Sequence, residues 1–262
     1  MADVQALLPI YGLIVGILVG LTGMGGGVLM TPLLMLGVGM PASAAVATDL
    51  LYSAPTKIVG GWQHWRQGTV DRRVVRDLAF GSVPASLLAV GVLAYLQSAN
   101  GKVSERWLEQ FIGAVMAVAA TIMIVRIVQR FRTGEDEHSV SGWQQRVYRR
   151  SAVVAIGAVG GFLVGLTSIG SGSLIIALLV LVVSLDPKRL VGTDVLHAAF
   201  LVSTAAVAHL FLGNADFGVA ALLLVGSIPG VLIGSRLAIR VPRTALQFVL
   251  ATLLLSTAVK LL

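Results

Sequence analysis

The chain has 262 residues, 56% of them hydrophobic and 12% charged, with a net charge of +7 and no cysteine. A soluble domain carries about 25% charged residues, so a soluble fold does not fit, and disulfide, thiol and cysteine-zinc chemistry are excluded. The excess of Lys and Arg reads as the cationic loops of a membrane protein rather than as a nucleic-acid surface.

In chain order, apolar segments fall at 7–22, 28–39, 42–65, 74–97 and 107–130, then at 151–167, 173–185, 190–212, 217–236 and 243–261. The expected class is an all-α polytopic membrane protein. The start of the chain has Asp3 and no basic run, and its first cation is Lys57, so no cleavable signal peptide is expected. Between the two sets of segments lies the polar stretch RFRTGEDEHSVSGWQQRVYRR. The expected organisation is an N-terminal transmembrane repeat over 1–130, a cytoplasmic linker over 131–149 and a C-terminal transmembrane repeat over 150–262.

The two sets are copies. Shifted by 145 residues, GILVGLTGMGGG (16–27) falls on GFLVGLTSIGSG (161–172), and Thr48-Asp49 falls on Thr193-Asp194. His64 meets His209, Asp71 meets Asp216, and Gly81-Ser82-x-Pro84 meets Gly226-Ser227-x-Pro229. Shared apolar composition would not align polar residues in this way, and internal duplication is common among secondary transporters. Counting ten segments puts fifteen cations on one side of the membrane and three (Lys102, Arg106 and Lys260) on the other. Counting four passes per half splits the same cations 11 to 7, so the positive-inside rule selects ten segments, inverted repeats and both termini outside the cytoplasm.

Segment 28–39 is roughly 18 Å long as a helix, against a hydrocarbon core about 30 Å thick. It cannot span, so the first two segments of each repeat are expected to form a re-entrant hairpin with a glycine-rich turn. Bare backbone at membrane depth must be buried in protein or line a polar cavity, and the two turns should therefore meet. A returning helix presents free N–H groups to an anion. The candidate substrate site is accordingly Thr22, Gly23, Gly25, Gly26 and Gly27 with Thr167, Ser168, Gly170, Ser171 and Gly172, and Ser173 adds a hydroxyl. The rows Gly12, Gly16, Gly20 and Gly157, Gly161, Gly165 are read as helix-packing faces.

Ionisable groups inside the segments form a second candidate set. Asp49 and Asp194 sit at equivalent positions and read either as a proton relay or gate, or as structural carboxylates bonded to a neighbouring hairpin. Lys57 could hold a substrate's charge or neutralise Asp49. His64 and His209 lie near segment ends, where hydrogen bonding competes with proton handling, and His197 has Tyr52 as its counterpart and the weaker claim. Trp62, Trp65, Trp107 and Trp143 fit interfacial anchors. No His/carboxylate cluster suggests a metal, no Walker motif suggests a nucleotide, and neither an enzyme nor a cofactor is expected.

The motif GLTGMGGG…TP, its copy GLTSIGSG after a basic loop, and the ATDL and GTDV elements resemble the TauE/SafE family of sulfite and organosulfonate exporters, also called toluene-sulfonate uptake permeases. The resemblance covers nearly the whole chain. It implies transport, often export, of sulfite, sulfoacetate or a related organosulfonate across the bacterial inner membrane. The inverted repeat, paired hairpins and buried carboxylates add alternating access, with proton coupling through Asp49 or Asp194 as an option. The residues by themselves stop at secondary transport of a small anion. The partners expected are that anion and the lipid bilayer, with no nucleic acid; a homodimer rests only on the habit of membrane carriers. An anion channel, an uptake permease for another organic anion and a non-transporting scaffold remain alternatives. The repeats differ where Ser168-Ile169-Gly170-Ser171-Gly172 replaces Gly23-Met24-Gly25-Gly26-Gly27, and the sequence does not say which turn dominates.

Overall fold

The computed structural model describes residues 2–22, 27–133, 148–170, 172–237 and 243–262. Among these, all regular structure is helical. Helix α1 spans Ala2–Thr22, and α2 spans Gly27–Leu33 and runs on as one π-helical turn, Leu34–Val38. Helix α3 covers Ala42–Arg66, α4 Arg72–Thr133, α5 Arg150–Thr167 and α6 Ser173–Val182. The chain closes with α7 over Pro187–Phe211, α8 over Phe217–Leu237 and α9 over Arg243–Leu261. Boundaries repeat at the 145-residue offset: α3 matches α7 end to end, and α1 and α5 both stop at a threonine before the turn.

Local chemistry sets these ends. The Asp71 Oδ1 accepts the N–H groups of Arg73 and Val74 at the start of α4, and Asp216 Oδ1 accepts that of Val219 at the start of α8. Asp186 caps α7 with Pro187 at its first position. Gly39, Gly68 and Gly213 end their helices in the left-handed region, which costs glycine nothing sterically. The π-helical turn follows Pro32, whose missing N–H already interrupts the α-helical ladder.

Three segments depart from the sequence-based expectation. The segments at 74–97 and 107–130 lie in a single 62-residue helix, α4, which contains two apolar stretches, Arg72–Ser98 and Glu105–Val125. The polar join between them contains no proline, and one glycine does not stop a helix. Helix α3 is long enough to cross a bilayer but is absent from the five helical stretches among the described residues that are both long and apolar enough. It carries Thr48, Asp49, Ser53 and Lys57, all buried inside the protein, so its polarity belongs to a site rather than to lipid contact. The short segments behave as expected. Gly27–Val38 has 12 residues and α6 has 10, each too short for the hydrocarbon core.

The halves interlock through glycine. A Cβ on Gly12 or Gly16 would collide with backbone at Leu223 or Ser227 of α8, and a Cβ on Gly157 or Gly161 would collide with backbone at Leu78 or Ser82 of α4. These are the same contact taken in both directions, since 78 and 82 become 223 and 227 at the offset. The contact order makes α1 parallel to α8 and α4 parallel to α5. Helices α3 and α7 run antiparallel, with Gly61 on Leu196 and Gly192 on His64. Bulky apolar side chains such as Phe80, Leu88, Tyr95, Val225 and Phe248 point outward. At the basic end, Arg66 stacks on Trp62 and Arg72 on Trp65, a pairing suited to the membrane–water boundary.

Candidate functional site

The turn after α5 meets the start of α2. A Cβ on Gly27, the first residue of α2, would collide with the carbonyl of Ser168, and would lie 2.8 Å from the Ser168 hydroxyl and 3.2 Å from Asp49 Oδ2. Only glycine permits this approach. Asp49 joins the two repeats: its Oδ2 accepts hydroxyl bonds from Thr31 of α2 (2.7 Å) and from Ser168 (2.7 Å), and its Oδ1 accepts one from Ser53, one turn along α3 (3.1 Å). All four side chains are buried. A carboxylate is a pure acceptor when ionised, and three hydroxyl donors suit that form. It also lies against the first residue of α2, where the free N–H end of a helix favours negative charge.

Ser168 itself adopts φ 58°, ψ −5°, the left-handed conformation that its counterpart Gly23 would enter freely. Gly170 (φ 121°) and Gly172 (φ 110°) take positive φ angles beyond it. Of the other candidate residues on the turns, Gly23, Gly25, Gly26 and Ser171 lie outside the described residues, as do the side chains of Thr22 and Ser173. Thr167 does not reach the junction. Its hydroxyl donates to Leu163 O (2.7 Å) and accepts the Ile169 N–H (3.1 Å), closing the end of α5, because a threonine in a last helical turn finds its partners locally.

A second polar cluster lies between α3 and α7. Asp194 is buried, and its Oδ1 has no hydrogen-bond partner among the described residues. Lys57 of α3, also buried, lies within electrostatic range of Asp194 and, less strongly, of Asp49. His197, three residues after Asp194, is fully buried, with Nε2 2.8 Å from the Ser82 hydroxyl of α4. The preceding threonines tie the repeats together: Thr48 Oγ1 accepts the Asp216 N–H (3.0 Å), and Thr193 Oγ1 accepts the Asp71 N–H (2.9 Å).

The two histidines of the expected set stand apart from these clusters. His64 lies near the end of α3 and pairs Nδ1 with the Thr69 hydroxyl (2.9 Å). His209 uses Nε2 on the Gly165 carbonyl (2.9 Å), fastening α7 to α5. Both positions are ones where a helix end offers a hydroxyl or carbonyl. The arms of the first hairpin also differ from those of the second. A Cβ on Gly160 would lie only 2.7 Å from the Ile175 side chain, whereas the residue equivalent to Gly160 in the first hairpin is Val15. In the first hairpin a 380 Å³ apolar cavity lies between α1 and α2, with Met116 and Leu254 on its far wall.

The profile of the family described as "Sulfite exporter TauE/SafE" matches residues 8–261. The chain belongs to the TauE/SafE family. It is similar to "Probable membrane transporter protein YjnA" of Bacillus subtilis (strain 168), 41% identical over 253 residues, 97% of this chain and 98% of the relative. It also resembles the same organism's "Probable membrane transporter protein YunE", at 26% identity with 90% of this chain and 88% of the relative covered. A third relative there, "Probable membrane transporter protein YdhB", is 24% identical with 89% and 90% covered. No solved structure matches. This TauE/SafE protein is thus a multi-pass membrane transporter.

Sequence reasoning on the TauE/SafE motifs missed Thr31, Ser53 and Ser82, and ranked His197 low. The signals were present. Ser53 follows Asp49 by four residues and His197 follows Asp194 by three, spacings that share a helix face. Thr31 and Ser82 could not be assigned, because each acts on another helix.

Proposed function

We propose that this TauE/SafE transporter is a secondary carrier of the bacterial inner membrane that exports a small sulfur-containing oxyanion, such as sulfite, sulfoacetate or a related organosulfonate, by alternating access. One observation carries the reading: the start of α2 and the turn after α5 meet at Gly27 and Ser168, with Asp49 bonded to Thr31 and to Ser168. Helix ends that converge inside a membrane protein offer N–H and hydroxyl donors to an anion where lipid would offer none.

The helix directions support an inverted arrangement. Equivalent helices α3 and α7 run antiparallel, and each repeat's first helix runs parallel to the fourth segment of the other. In such a pair one repeat can rock against the other about a fixed central site. We assign Gly27, Ser168, Gly170 and Gly172 to that site, and the sequence motif adds Thr22, Gly23, Gly25, Gly26 and Ser171 as candidates. Lys57 supplies positive charge. Asp49 is the gate: it occupies the donors of Thr31 and Ser168 until an anion competes for them, and the repeats separate when it lets go. Both termini face away from the cytoplasm.

The test is efflux of sulfite and of sulfoacetate from liposomes containing the purified protein. Saturable efflux is expected. Absence of saturable flux in either direction refutes the carrier, and current that grows with voltage without saturating in substrate identifies a channel instead.

A further inference from the structure

The two equivalent carboxylates have different surroundings. Asp49 receives hydroxyls from Thr31, Ser53 and Ser168. At the offset these three positions become Ile176, Ala198 and Gly23, none of which carries a donor. Asp194 accordingly keeps a buried Oδ1 with no partner. An ionised oxygen left in that state is costly, whereas a protonated carboxyl oxygen is far cheaper to bury.

Charge balance leads to the same residue. Lys57 is the cation facing both carboxylates. With all three ionised, the buried cluster carries one net negative charge; one proton makes it neutral. Asp49 holds three donors and favours the charged state, so the proton belongs on Asp194. From α3, the charged group within electrostatic range of Asp194 is Lys57. Helix α4 has no charged side chain between Asp77 and Lys102, α5 has none after Arg150, and α6 has none. On α7 itself the nearest titratable neighbour is His197, whose Nδ1 is also buried without a partner.

Resting on the carrier reading above, we propose that Asp194 carries one proton that travels with the substrate anion, which makes the transporter a proton–anion cotransporter, electroneutral when the anion is a monovalent sulfonate. An anion drawn to Lys57 is repelled by an ionised Asp194 and not by a protonated one. Proton and anion therefore raise each other's affinity by the same factor. The proton enters from water on the loading side and leaves to water on the other, and no covalent bond changes. Net direction follows the combined gradients of proton and anion, so an anion accumulated in the cytoplasm leaves with a proton.

Two readouts test this on the full-length protein. The first is the infrared carbonyl band of a protonated carboxylic acid at near-neutral pH. It is expected in the wild type, lost in Asp194→Asn and kept in Asp77→Asn, whose ion-paired carboxylate lies outside this cluster. The second uses methanesulfonate, whose charge does not titrate near neutrality, in proteoliposomes under a pH gradient. Wild-type affinity should rise by about tenfold per pH unit of acidification where Asp194 titrates, the slope of one coupled proton. Flux through Asp194→Asn should ignore the gradient. A missing band, a band that survives Asp194→Asn, or a pH-independent wild-type affinity overturns the proposal and leaves the carrier intact. A correct band pattern with no methanesulfonate flux at any pH refutes cotransport together with the carrier reading.

Discussion

Ser168 combines a conformational cost with a bond. Its φ of 58° disfavours any residue with a Cβ, yet its hydroxyl supplies one of the three donors on Asp49. Ser168→Ala keeps the strain and loses the bond, and should lower stability by about 1 kcal/mol. Ser168→Gly loses the bond but relieves about 1 kcal/mol of left-handed cost, and should come out near neutral. The midpoint of thermal unfolding followed by tryptophan fluorescence in detergent orders the two; equal midpoints would show that the conformation costs nothing. Outside the spans, Tyr148 donates to the buried Asp77 (2.6 Å), which also pairs with Arg76 and Arg150. Burial, and then the Asp77 carboxylate, push the Tyr148 phenol from 10.0 up to about 12. A raised pKa favours the protonated form in the folded state, so this stabilisation is complete below pH 10.0 and is lost as pH climbs towards about 12. Tyr148→Phe should remove that alkaline dependence; a melting profile unchanged between variant and wild type across the window would disprove it.

Among elements, the close helix pairs depend on missing side chains. Without water to drive helices together inside a bilayer, association depends on packing, and small residues let backbones touch. Gly226 of α8 has no room for a Cβ against the Pro9 carbonyl of α1, whereas Gly91 of α4 has open space around it. Gly226→Ala should therefore destabilise by about 1–3 kcal/mol. Gly91→Ala should be neutral or stabilising by up to about 1 kcal/mol, since alanine is the better helix former. Melting midpoints of the two variants measure the contrast, and similar losses at both sites would argue against backbone contact. The packing role of Gly12, Gly16, Gly157 and Gly161 was legible from their four-residue spacing. The continuity of α4 was not: a dip in hydropathy marks a change of environment, while helix continuation depends on backbone hydrogen bonds that several polar residues tolerate.

At the scale of the whole molecule, the open question is threading. Cysteines placed at Arg72 and Lys102 should react with a membrane-impermeant maleimide from opposite sides, with Lys102 reachable from outside the cell. Labelling of both from one face would sink the ten-segment threading and with it the inverted repeat. Composition and spacing alone fixed a helical membrane protein, the 145-residue duplication and the short segments, because apolar length and repeated spacing are properties read along one dimension. The family membership was likewise legible, in GLTGMGGG and its copy. Which carboxylate is fully bonded was only partly legible: Ser53 against Ala198 is a local difference, but the Thr31 and Ser168 donors reach Asp49 from other elements. Ser168 reaches Asp49 across 119 residues and Ser82 reaches His197 across 115. Partners that distant are chosen by how the helices pack, so the tertiary structure alone separates a satisfied carboxylate from a bare one.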